Sequence, residues 1–189
     1  GQHFGYPVDV TDRDALIAAA RRFDAAVGGT DIAIANAGIS VGVKTEHYED
    51  LAEFERVFAT NVFAMASTFH GFIAPMKTRG RGTLVGIGSV AGIRGLPGSE
   101  AYCASKSAVI TYCESLRVEM KKAGVQVLTV NPGFIRTRLT AQNDFAMPAL
   151  LTPEQAAIAA VDGFRTGNFE IHFPKRFTRV LKLLSLLPY

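Results

Sequence analysis

Thr83-Leu84-Val85-Gly86-Ile87-Gly88-Ser89 is a short apolar run that stops on a glycine and a hydroxyl. A helical stretch over residues 100–123 follows, closed by Gly124, and a second apolar run over 125–130 ends on Asn131-Pro132-Gly133. Apolar runs of this length, rich in β-branched residues and alternating with helical stretches, are the pattern of a parallel sheet with crossover helices. Working outward, the same reading predicts strands at 4–8, 32–35 and 169–173. Helices are predicted at 12–27, 50–77, 100–123 and 153–164, the second long enough for two consecutive helices. Thr11 or Asp12 can cap the first, whose Leu16, Ile17, Ala20 and Phe23 share a face before Gly28-Gly29 ends it. Thr152 and Pro153 open the last.

In an open parallel sheet, ligands sit beyond the carboxyl ends of the strands. The residues there are Asp9-Val10, Asn36-Ala37-Gly38, Gly88-Ser89 and Asn131-Pro132-Gly133. Glycines let a ligand approach the backbone, while Asp, Asn and Ser offer polar groups at the rim. Turn formation alone accounts for any one of these sites, so their recurrence after successive strands carries the argument.

The 189 residues suggest one domain able to bury a core, and 48% hydrophobic with 20% charged residues is ordinary for a globular chain. Twenty Lys and Arg against 17 Asp and Glu leave +3. The basic residues are mostly scattered, which speaks against a nucleic-acid partner. Two cysteines make no disulfide framework, and Cys103 and Cys113 fall about 15 Å apart along one helix, so a reducing, cytoplasmic setting is expected. Residues 57–76 contain no Asp, Glu, Lys or Arg, yet Asn61, His70 and Pro75 among others argue for a buried or interface helix rather than a bilayer span.

Tyr102 and Lys106 stand at i and i+4, on one helix face and about 6 Å apart along the axis. A phenol that works near neutral pH needs its pKa lowered by roughly 3 units, about 4 kcal/mol. An ammonium at ~4 Å with an effective dielectric of ~20 supplies that order of energy. A chance Tyr-x-x-x-Lys is expected about 0.2 times in this composition, and adding a Ser at one fixed upstream position brings the figure under about 0.01.

Ser89, Tyr102 and Lys106, with Asn36-Ala37-Gly38 upstream and Pro132-Gly133 downstream, resemble the classical short-chain dehydrogenase/reductase family in order and spacing over nearly the whole chain. The resemblance implies a Rossmann-type, doubly wound α/β/α fold that binds NAD or NADP. It also implies hydride transfer between the nicotinamide and a carbonyl or secondary alcohol. It makes Tyr102 the proton donor or base, with Lys106 lowering its pKa and holding the ribose hydroxyls. Ser89 would bind the substrate oxygen, and Asn61 a water that links Lys106 to solvent. Asp9 and Val10 would lie at the adenine, Asn36 at a strand crossing, Ala37 and Gly38 beside the adenosine ribose. Pro132-Gly133 leads to Ile135 and Thr137, which would hold the carboxamide.

The glycine-rich turn that receives a pyrophosphate at a helix N-terminus is absent from this sequence, as is the residue that separates NAD from NADP. Gly28-Gly29 follows a helix and cannot replace that turn. We therefore expect an N-terminally incomplete chain, short by roughly fifty residues. Residues 90–98 and the long connection at about 134–151, with Phe134, Leu139, Phe145, Met147 and Leu150, should shape a pocket for apolar or amphiphilic substrates. The resemblance implies a homodimer or homotetramer paired through helices near 61–76 and 100–123. The basic, apolar tail at 177–187 could lie on a membrane surface or pack on its own subunit. Two further functions share features with this pattern. An extended-type sugar-nucleotide epimerase or dehydratase needs more chain after Pro132-Gly133 than follows here, and a non-catalytic cofactor-binding scaffold does not need Ser89, Tyr102 and Lys106.

Overall fold

The computed structural model describes residues 2–141 and 145–188. Four strands, β1 (Ile32–Ala35), β2 (Gly82–Ile87), β3 (Val125–Pro132) and β4 (Glu170–Phe173), form one fully parallel sheet in the order β1-β2-β3-β4. Helices α1 (Arg13–Ala26), α2 (Asp50–Phe58), α3 (Ala64–Arg79), α4 (Glu100–Lys121), α5 (Pro153–Thr166) and α6 (Lys175–Ser185) surround it.

Alternation along the strands separates two cores, as a sheet covered on both faces requires. Leu84 and Val127 join Ala20 of α1, Phe69 and Met76 of α3 and Met120 of α4 on one face. Val85, Leu128 and Val130 join Ala156 of α5 on the other. Full burial of side chains such as Phe69, Met76 and Met120 stabilises the fold by about 1.5–3 kcal/mol each. The fold is therefore the three-layer Rossmann-type arrangement that the sequence predicts.

Local chemistry explains the helix starts. The Asp12 carboxylate accepts from Ala15 N (3.0 Å) at the head of α1, and Thr152 and Gln155 form a reciprocal capping box before α5. Helices α2 and α3 run on through a π-helical segment, Ala59–Phe63, so the expected pair is one continuous helical run. By length and composition this run, Asp50–Arg79, could cross a membrane; in the structure Val57, Phe69 and Met76 are buried in the cores.

The strand predicted at 4–8 does not form. A strand exists only with a hydrogen-bonded neighbour, and these residues pack on α1 instead. The Phe4 ring meets Phe23 edge-on, 6.2 Å between centroids, and Arg22 lies 4.7 Å over the Tyr6 ring. β1 is an edge strand with Ile32 and Ile34 exposed.

The tail packs on its own chain. Thr178 of α6 is fully buried, Lys182 pairs with Glu170 of β4, and Arg94 Nη1 donates to Leu184 O (2.9 Å) and Leu187 O (3.1 Å). Glu170 also accepts from Asn131 Nδ2 at 2.9 Å, which ties the end of β3 through β4 to α6.

Candidate active site

The carboxyl ends of β1, β2 and β3 bring the post-strand residues to one rim. Ser89 follows β2 and is buried; its Oγ accepts from Ala91 N (3.1 Å) and so caps the short 3-10 turn Val90–Gly92. That turn lies against α4. A Cβ at Gly92 would stand 2.6 Å from the Lys106 carbonyl carbon and 2.8 Å from its oxygen, so only glycine lets the Ser89 segment reach the helix that carries Tyr102 and Lys106.

Lys106 is 4% exposed. Its Nζ donates to Ile87 O at 2.8 Å and stands 5.7 Å from the centre of the Tyr102 ring. Burial lowers the ammonium to about 8. The Tyr102 phenol moves the other way. Burial raises its pKa, with the Ser89 hydroxyl pulling it partly back. Burial is the largest influence on the phenol, while the Lys106 ammonium is held by a backbone carbonyl.

Asn61 sits in the π-helical segment, 2% exposed. Its Oδ1 accepts from Ile39 N (2.8 Å), and its Nδ2 donates to Ile39 O (3.0 Å) and Ser105 Oγ (2.9 Å). Ser105 in turn donates to Tyr102 O at 2.8 Å. Both amide hydrogens are therefore engaged, and the side chain clamps the post-β1 loop to α4. A Cβ on Gly38 would lie 3.4 Å from both Asn61 Oδ1 and Lys106 Nζ, so the three residues converge.

Two cavities meet here. One runs along the strand ends past Asn36, Gly38, Gly88, Lys106, Pro132, Ile135 and Thr137. The other is bounded by Val90, Ala91, Leu96, Phe134, Leu139 and Phe145. Ser89, Tyr102 and Gly133 line both. A third cavity, beside β1, is walled by Val10, Ala35, Asn36 and Ala37, where the resemblance places an adenosine. Asp9 lines none of these; its carboxylate accepts from Thr11 N (2.9 Å) and Thr11 Oγ1 (2.8 Å) in the turn before α1, which lowers its pKa.

Two residues of the site escaped the sequence reading. Ser105 links Asn61 to Tyr102, and Thr140 Oγ1 donates to Ile135 O (2.6 Å) and accepts from Thr137 N (3.0 Å). Thr140 so fixes the segment expected to face a carboxamide. No local pattern marks either one. Of the predicted 134–151 connection, residues 142–144 lie outside the described residues.

The cleft's donor set suits a nicotinamide dinucleotide. An ammonium has three N–H donors and Ile87 O takes one, so a buried Lys106 at the cleft wall has donors for a vicinal diol. The backbone at Gly38 and Gly88 permits close approach of a flat ligand.

The short chain dehydrogenase family model matches residues 1–147. An uncharacterized oxidoreductase of Myxococcus xanthus (strain DK1622) is 38% identical over 181 residues, 96% of this chain and 71% of the relative. The chain spans 61% to 71% of the length of the first three curated relatives compared. A Burkholderia cenocepacia J2315 short chain dehydrogenase solved in complex with NADP superposes with a TM-score of 0.84 at 22% identity, covering 96% of this chain and 76% of that one. A Burkholderia phymatum short chain dehydrogenase/reductase in complex with NAD gives 0.83 at 22%, covering 95% and 74%. With the family model matched over residues 1–147, and with Ser89, Tyr102 and Lys106 converging where two cavities meet, the chain belongs to the short chain dehydrogenase family.

Proposed function

We propose that the protein is an NAD(P)-dependent oxidoreductase acting on a carbonyl or secondary alcohol, with Tyr102 as acid and base. The observation that carries this reading is the shared wall: Ser89 and Tyr102 border both the strand-end cleft and the apolar cavity, so a group in either one reaches the same two hydroxyls. Related folds hold NADP or NAD in their solved complexes, and the donor set at Lys106 accepts either.

When bound, the cofactor supplies the hydride to the carbonyl carbon, or takes it from the alcohol carbon. Ser89 donates a hydrogen bond to the substrate oxygen. Tyr102 gives its hydroxyl proton to that oxygen as it becomes an alcohol, and takes the proton back in the oxidation. A raised phenol pKa keeps that proton in place at neutral pH, which favours the acid role. Lys106, at about 8, keeps its charge below that pH, where it holds the cofactor's ribose hydroxyls. Placement by Asn61, Gly92 and Thr140 supplies the alignment that the transfer requires.

The test is oxidation of NADPH or NADH by the full-length protein over a panel of aldehydes and ketones, read by absorbance of the reduced nicotinamide. Turnover with at least one cofactor is expected. None over a broad panel overturns the reading in favour of a non-catalytic scaffold. The assembly we propose is a homodimer or homotetramer through the helical run over 61–76 and through α4, where Phe63, at the end of the π-helical segment, and Val118 are 60% and 76% exposed; sedimentation at micromolar concentration showing monomer overturns it. A cytoplasmic setting agrees with Cys103 and Cys113, both free and buried.

A further inference from the structure

Beyond the cavity that holds Ser89 and Tyr102, the segment after Ser89 and helix α6 enclose a second one. Its walls are Val90, Ile93, Leu96, Phe134, Phe177 and Leu181, with Arg94 and Gly95 at the rim. Val90, Leu96 and Phe134 belong to both cavities, so the two adjoin along three residues. Counting their open mouths, they hold about 600 and 570 Å³. We propose, on the strength of the oxidoreductase reading above, that the second cavity takes the unbranched alkyl chain of a substrate whose carbonyl is held by Ser89 and Tyr102.

The lining chemistry selects such a chain. Among the described residues no carboxylate, amide or hydroxyl side chain lines this space, so away from Arg94 a polar substituent would be desolvated there without a partner. The one charged residue of the lining, Arg94, is engaged at the rim, where its Nη1 donates to Leu184 O (2.9 Å) and Leu187 O (3.1 Å). That contact ties the segment after Ser89 to the end of α6. Phe134 stands between Phe145 and Phe177, 5.9 Å from each ring centroid, an aromatic row leading from the first cavity to the second. Leu96, at the junction, is 44% exposed, and Phe145, at the head of the row, is 53% exposed. A chain laid along the row covers both, and removal of apolar surface from water is the driving force.

Each methylene buried should raise kcat/KM about fourfold until the cavity is full. The test is a homologous series of methyl ketones, butan-2-one to dodecan-2-one, assayed with NADPH and with NADH. Wild-type kcat/KM is expected to climb with chain length. Leu181→Trp, which fills the second cavity from α6, is expected to lower the ratio of dodecan-2-one to butan-2-one at least tenfold. Gly95→Leu is the second variant, because a Cβ there meets nothing within 4 Å and Gly95 has no positive φ. A flat wild-type series overturns the proposal, as does an equal loss for long and short ketones in both variants. If no ketone is turned over, the oxidoreductase reading fails separately. The cavity is then judged by calorimetry on Tyr102→Phe with cofactor present: tighter binding of dodecan-2-one than of butan-2-one supports it, and equal binding overturns it.

Discussion

The two sides of the reaction cleft are built on different physical terms. On the side of α4 the groups around Tyr102 are buried and held: Ser89 at 7%, Lys106 at 4% and Asn61 at 2% exposure, each hydrogen-bonded to backbone or to another side chain. Across from it, the residues after Gly133 are held by a few backbone contacts, such as the bridge between Ile135 and Leu151, and by Thr140, while Phe145 is 53% exposed. On the proposed function, chemistry would be fixed by the core and substrate fit left to apolar walls with little of the fold resting on them. One half can vary without disturbing the other.

The largest effect should come from the first side. Tyr102→Phe removes the transferable proton and leaves the ring, so kcat should fall about 10²- to 10⁴-fold with cofactor affinity retained. Cofactor titration alongside steady-state kinetics checks both parts; unchanged kcat removes Tyr102 from its role. Next is Asn61→Ala, which strands Ile39 N–H and Ile39 C=O and removes a donor to Ser105 Oγ, whose own bond to Tyr102 O remains. Buried unsatisfied groups of this kind cost about 1–3 kcal/mol each, offset in part by relaxation, so a loss of about 3 kcal/mol in urea unfolding is expected.

Lys106 gives a pH test of the same side. Its folded pKa of about 8 lies below the ordinary 10.5. Between those values the unfolded chain holds a proton that the folded chain has released, so this group's contribution raises stability as pH climbs through the window. Buried Cys113, pushed up to about 12 from 9.0, acts in the opposite sense, since there the folded chain keeps the proton. The difference between wild type and Lys106→Met isolates the lysine. It should shift in favour of wild type by about 3 kcal/mol from pH 8 to pH 10.5, and a flat difference would show that the ammonium is not buried as described.

Much of the first side was legible in the sequence because its signals are local. The i, i+4 spacing of Tyr102 and Lys106 and the position of Ser89 after an apolar run need no tertiary knowledge. What stayed hidden depends on contacts far apart in sequence. Asn61 and Ser105 are 44 residues apart, and the acceptor that holds Lys106 is a backbone carbonyl, which every residue possesses. The strand predicted at 4–8 fails for a related reason: alternation describes a surface, whereas a strand also needs a neighbour. On the second side the length and apolar content of the connection were readable. The aromatic row through Phe134 was not, because Phe177 reaches it from α6.

The smallest expected effect lies on that second side, and it tests the contrast directly. Phe145→Ala removes a ring that is 53% exposed and touches the Phe134 ring edge-on. Little apolar area returns to water, and an aromatic pair is worth about 0.5–1.5 kcal/mol at most, so unfolding free energy should change by about 0.5 kcal/mol. The same substitution opens the wall of the cavity beside Tyr102, so KM for an apolar ketone should rise several-fold while kcat stays within about twofold. A uniform-binding residue behaves this way, because it holds ground state and transition state alike. If kcat fell with stability, Phe145 would belong to the anchored half, and the division between fixed chemistry and free fit would have to be redrawn through the loop.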